Sequence, residues 1–167
     1  MSTFTVLNLD DSGIGSLRQA ILDANVAPGA DVIDFAPQLK GTITLASELS
    51  ITDDLTIDGP GEDQLTISGD GASRVMHIAQ VSVTIADLTI ANGFATGSPG
   101  LGGGILNEGG SVRVKKVTFT NNQAAGSMAG GGAIANVSKG LIRGASKPGT
   151  ILSSLLGPTP TCAKALR

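Results

Sequence analysis

The chain has 167 residues, of which 41% are hydrophobic and 15% charged, so it is long and apolar enough for one packed domain and unlike a disordered chain. It has no Trp, no Tyr and only Phe4, Phe35, Phe94 and Phe119, which leaves Val, Ile and Leu to build a core, as in thin layers of stacked strands. The formal net charge of −3 conceals a split: all 14 acids lie at or before Glu108 with three bases, a net −11, whereas the remainder carries eight bases and no acid.

In chain order, Phe4-Thr5-Val6-Leu7 reads as a short strand, and Asp10 to Gly15 as a turn. Ser16-Leu17-Arg18-Gln19 then offers a capping box, with Ser at N-cap and Gln at N3. Leu17, Ala20, Ile21 and Ala24 follow at helical spacing, and Asn25, Pro28 and Gly29 end the pattern. One helix is expected over about residues 16–26.

The periodicity then changes to two. Asp31-Val32-Ile33-Asp34-Phe35, Thr42-Ile43-Thr44-Leu45, Leu49-Ser50-Ile51, Leu55-Thr56-Ile57 and Leu65-Thr66-Ile67 each alternate and stop at Gly, Asp or Pro. Val75-Met76-His77-Ile78, Val81-Ser82-Val83-Thr84-Ile85, Leu88-Thr89-Ile90, Val112-Arg113-Val114, Val117-Thr118-Phe119 and Ala133-Ile134 continue the series.

A repeat underlies it. Thr42, Leu65, Leu88 and Val117 begin similar strands at offsets of 23, 23 and 29 positions. The stretch from Asp87 to Gly93 recurs from Lys116 to Asn122, and Gly102-Gly103-Gly104-Ile105-Leu106-Asn107 recurs over residues 130–136. Such a period suits one coil of three short strands, and stacked coils bury a continuous core that no single coil can bury. The predicted fold is therefore all-β, a right-handed parallel β-helix. Inward Val, Ile and Leu should form columns, with Asn92, Asn121, Asn107 and Asn136 placed for stacked amide ladders. An open solenoid end exposes strand edges, and the 16–26 helix is placed to cap the first coil.

The β-helix segment is expected to span residues 1–136. After Asn136 the repeat units stop, and residues 137–167 read as an atypical basic tail. Ile151, Leu152, Leu155 and Leu156 would form one face of a short cap helix; a disordered tail and a frameshifted one are the other readings.

Residues 4–35 resemble the start of a large group of bacterial β-helix proteins, through Phe4-Thr5-Val6, Ser16-Leu17-Arg18-Gln19-Ala20-Ile21 and Asp31-Val32-Ile33-Asp34-Phe35. Gly131-Gly132-Ala133-Ile134 and Phe119-Thr120-Asn121-Asn122 look like the polymorphic outer membrane protein repeat. The resemblance covers about residues 4–136. It implies a secreted or surface-anchored, often adhesive solenoid whose partners would be extracellular polysaccharide or a host or matrix surface. It carries over no catalytic residue. Met1-Ser2-Thr3-Phe4 has no basic or apolar leader pattern, so an export signal would lie outside this chain. No apolar run reaches the length of a membrane span.

Candidate chemistry is sparse. Acidic turns hold Glu48, Glu62 and the five Ca²⁺ candidates Asp53, Asp54, Asp58, Asp63 and Asp70; Ca²⁺ wants six to eight oxygens, but the spacing matches no EF-hand, and solvated turn carboxylates are the preferred reading. Hydrolysis would need two carboxylates across a groove, and Asp53 and Asp54 are adjacent, so an extended strand points them to opposite faces. Lyase chemistry would need a base beside bound Ca²⁺, and Arg74 is the only basic residue between Lys40 and Arg113. His77, the lone histidine, is expected on the surface, and Cys162, the lone cysteine, as a free thiol. The glycine runs at 100–104 and 126–132 lack the Lys-Ser/Thr of a phosphate loop and recur with the solenoid period. Arg113, Lys115 and Lys116 form a small basic patch, and the lack of interleaved aromatics argues against nucleic acid. The favoured function is a noncatalytic scaffold or adhesive repeat region. A carbohydrate-active β-helix and a truncated or frameshifted fragment are the alternatives.

Overall fold

This computed structural model describes residues 1–126, 128–138 and 140–146, with the backbone of 152–154. Its strands are numbered in chain order and fall on three faces of a parallel β-helix. The first face stacks β1 (Thr3–Val6), β2 (Asp31–Phe35), β5 (Leu55–Asp58), the first halves of β8 (Ser82–Ala91) and β11 (Ser111–Thr120), and β14 (Leu141–Ser146). The second stacks β3 (Gly41–Thr44) on β6 (Leu65–Ser68) and then the second halves of β8 and β11. The third stacks β4 (Leu49–Ile51), β7 (Met76–Ala79), β10 (Ile105–Glu108), β13 (Ile134–Val137) and β15 (Leu152–Ser154). Every pairing is parallel. A side ladder of β9 (Phe94–Thr96) and β12 (Gln123–Ala125) leaves the coil between the second and third faces.

Alternation along each strand sends one side chain in and the next out. Register then piles the inward ones into columns: Ile33, Ile57, Ile85 and Val114 on the first face, Ile43, Ile67, Ile90 and Phe119 on the second, Leu49, Met76, Ile105 and Ile134 on the third. All belong to one buried cluster, and all but Phe119 are no more than 1% exposed. The expected all-β parallel β-helix is the observed fold.

Corners separate the faces. The expected strands at 81–85 and 88–90 are one strand, β8, bent where Asp87 adopts a φ of 53°. Lys116 bends β11 in the same way, with a φ of 47°, and its Nζ lies 3.4 Å from Asp87 Oδ1. At the corner after the third face, Gln80, Gly109 and Ser138 stack in the same left-handed conformation. A corner is thus a backbone state repeated once per coil, and Gly is one of several residues that hold it.

The helix α1 (Leu17–Val26) packs Leu17, Ala20, Ile21 and Ala24 onto β1, β2 and β4, the stripe expected for a cap. Ser16 is its N-cap and accepts from Gln19 N, but the box is half made, because the Gln19 amide donates to Asp23 instead. The helix also occupies the free edge of the third face. Asn25 accepts from Thr52 N and donates to Ser50 O, both at 2.9 Å, and so supplies to β4 the pairing that a preceding strand would give. Arg18 donates to the Ser47 and Glu48 carbonyls and pairs with Asp11.

Three expectations are corrected. Leu65 pairs with Gly41, not Thr42, so the first offset is 24; one residue less would turn Ile43 outward. Asn107 and Asn136 do form an amide ladder, but Asn92 and Asn121 are corner residues with φ of 50° and 53°. The amides there tie the coils in other ways: Asn92 donates to Ser68 Oγ one coil back, and Asn122 accepts from Gly93 N and donates to Ile90 O. Finally, the solenoid continues past Asn136: β14 pairs with β11 and β15 with β13. Residues 152–154 form a strand, where a cap helix was one of three readings of the tail; Ile151, Leu155 and Leu156 lie outside the described residues.

Candidate functional site

The five candidate aspartates are distributed over different corners. Asp53 Oδ1 accepts from Asp54 N at 2.7 Å. Asp54 Oδ1 accepts from Ser82 N at 2.7 Å, joining the entry of one coil to the next. Asp58 is exposed at the end of β5, Asp63 in the loop after it, and Asp70 in the turn after β6, where its N–H donates to Ser68 Oγ. Among the described residues no three His, Cys, Asp or Glu side chains converge as metal ligands would. The structure therefore does not gather these aspartates into a Ca²⁺ site.

Arg74, the base considered for lyase chemistry, is committed to the scaffold. Its guanidinium pairs with Glu48 one coil back and donates to the Leu101 and Gly102 carbonyls one coil ahead. An Arg so engaged tethers three coils and is not poised to take a proton from a substrate. His77 is partly exposed on β7, as expected, and its Nε2 lies 2.9 Å from Glu108 Oε2. Cys162 lies outside the described residues.

The glycine runs form the walls of the side ladder. Leu101 pairs with Gly130, and a Cβ on Gly103 would sit 2.1 Å from the Gln123 carbonyl oxygen. Close backbone approach accounts for the glycines there. Under the ladder, Leu101, Leu106 and Ala135 form a second small apolar cluster.

The outer surfaces differ from face to face. On the second face Thr42, Thr66, Thr89 and Thr118 form a register column. The loop at 59–64 lies over part of it: Thr89 donates to the Glu62 carbonyl at 2.6 Å and Thr118 to Glu62 Oε2 at 3.0 Å. Thr89 is only 7% exposed. Between β1 and α1 runs a groove of about 240 Å³, lined by Thr3, Phe4, Thr5, Ser16, Gln19 and Asp23 among others, with one charged group and no acid–base pair.

The first face is the one with a charge pattern. Its outward columns read Val32, Thr56, Thr84, Arg113 and Arg143, and beside them Asp34, Asp58, Ala86 and Lys115. The asymmetry of the sequence thus becomes a gradient along the axis, acidic in the first coils and basic in the last. Arg113, Lys115 and Arg143 are all exposed. Sequence reasoning found Arg113 and Lys115 but missed Arg143, because the repeat was ended at Asn136. The signal was present: Ile142-Arg143-Gly144 repeats the alternation of Val112-Arg113-Val114.

Fold and surface together define a parallel β-solenoid with a patterned outer face and a cap helix. Among the described residues no helix is long and apolar enough to cross a membrane. Comparison with protein-family models gives no match, and comparison with curated proteins gives none either.

Proposed function

We propose that the chain is a noncatalytic β-helix segment of a secreted or cell-surface protein, acting as a scaffold or adhesive repeat region. The observation that carries this reading is how the polar side chains are used. Asp54, Arg74, Asn107, Asn122 and Asn136 each serve to hold one coil to the next. What remains outward is a periodic array of hydroxyls and charges at strand spacing, suited to contacting an extended surface. The motif resemblance at residues 4–35 and 119–134 supports the compartment and the adhesive role.

The test is binding without turnover. The chain, applied to surfaces coated with extracellular-matrix material or with acidic and neutral polysaccharides, is expected to bind saturably to at least one of them. It is expected to release neither unsaturated uronate nor new reducing ends over long incubation. Product release that scales with protein concentration would replace this reading with a carbohydrate-active one; absence of binding to every surface would remove the adhesive role.

A further inference from the structure

We infer that Arg113, Lys115 and Arg143 on the first face form a binding site for an anionic polysaccharide. The inference deepens the adhesive reading above and rests on it. Arg113 and Arg143 are direct partners in the β11–β14 register. Neighbouring parallel strands lie about 4.8 Å apart, so the two guanidinium stems leave the sheet side by side. Lys115 is two residues along β11, about 6.6 Å away and on the same side.

Like charges placed directly across a strand pair destabilise it. Arg18, Arg74 and Lys116, by contrast, have Asp11, Glu48 and Asp87 beside them, while Lys40, among the described residues, stands alone on the first coil, away from other bases. None of Arg113, Lys115 and Arg143 has a carboxylate partner among the described residues. Their neighbours are small: Thr84 stands opposite Arg113 and Ala86 opposite Lys115 on the strand below. The nearest acid in these columns, Asp58, is two strands from Lys115. The result is a flat basic shelf whose internal repulsion an external anion would relieve.

The spread of three cations over neighbouring strands suits a polymer with repeated charge better than a single small anion. A guanidinium fork donates to carboxylate or sulfate oxygens in pairs. Single-stranded nucleic acid binding would want aromatic platforms beside the cations, and Phe119, the one ring on β11, points into the core. Duplex nucleic acid would want a larger set of phosphate contacts than three. A sulfated or uronate-rich polysaccharide fits the patch.

The test compares the full chain with Arg113→Ser/Arg143→Ser and with Lys40→Ser, an exposed base of the first coil, on immobilised heparin, polygalacturonate, neutral dextran and duplex DNA. Wild type is expected to bind heparin or polygalacturonate in a salt-sensitive way, and dextran not at all. The double variant should bind at least tenfold more weakly, while Lys40→Ser stays within twofold. Without polymer, the double variant should keep its circular dichroism spectrum and melt at the same or a higher temperature, because the removed side chains are exposed and mutually repulsive. Equal binding by the double variant would overturn the site while leaving the adhesive reading in place. So would an equal loss in Lys40→Ser, or duplex DNA bound as tightly as heparin. Failure of wild type to bind any of the surfaces, matrix material included, would remove both.

Discussion

Asn107 donates from Nδ2 to Oδ1 of Asn136, 2.6 Å away and one coil further along. Both side chains occupy inward positions that Ile51 and Ile78 fill in the earlier coils. Asn107 also accepts from Gly110 N and donates to Gly110 O, so it closes its own corner while joining the next. Asn107→Ala leaves the Gly110 amide and the Asn136 carbonyl oxygen without these partners in a site where Asn107 is 0% exposed. The expected loss is about 3 kcal/mol. In a chain of this size that is roughly a 9 °C drop in Tm, read by thermal unfolding. Adding Asn136→Ala should cost much less than a second such loss, since the shared bond is already gone.

Arg74 reaches a carboxylate on one side and two carbonyls on the other, with 18% of its side chain exposed. Arg74→Ala should destabilise the chain by about 2–3 kcal/mol. Arg74→Lys should recover only a minor part, because an ammonium cannot span Glu48 and the Leu101 and Gly102 carbonyls as the planar fork does. Urea titration of the two variants separates lost fork geometry from lost charge: equal midpoints for Lys and Arg would show that charge alone mattered.

Gly103 faces backbone on two sides, with the Gln123 and Gly93 oxygens 2.1 and 2.7 Å from where a Cβ would stand. Backbone atoms held by neighbouring coils cannot yield cheaply, so Gly103→Ala is expected to cost about 2 kcal/mol. Hydrogen exchange should show the loss of protection concentrated in β9, β12 and the start of β10. An unchanged exchange pattern would mean that the glycine run is not required for close approach.

Leu17 is fully buried between the cap helix and the first coil. Leu17→Ala should cost about 3 kcal/mol as lost burial plus cavity. Because the helix also covers the free edge of β4 through Asn25, its loosening should expose a pairing edge. Concentration-dependent association of Leu17→Ala in light scattering, absent in wild type, is the expected signature.

Much of the solenoid was legible before the structure. The helix stripe Leu17, Ala20, Ile21 and Ala24 and the strand alternation at Leu55-Thr56-Ile57 or Leu88-Thr89-Ile90 are short-range patterns, and one buried face suffices to produce them. Less legible were the one-residue register at Gly41, the roles of Asn122 against Asn121, and the coil after Asn136. Each depends on what lies one coil away, 24 to 30 residues distant in register. The candidate aspartates were illegible for the same reason: Asp53 and Asp54 share one corner, whereas Asp58, Asp63 and Asp70 lie around later ones. The basic shelf is the converse case, two arginines 30 positions apart made neighbours by stacking.

By itself the sequence determined that strands would be short, that they would alternate, that they would repeat, and that a helix would precede them, because local propensity and periodic burial act within a few residues. Tertiary structure alone decided which residues became neighbours along the axis. Pairing between coils is set by how many residues each turn spends at its corners, and that count is fixed by backbone states such as those of Asp87, Lys116 and Gly109 and by the columns that must stay inward.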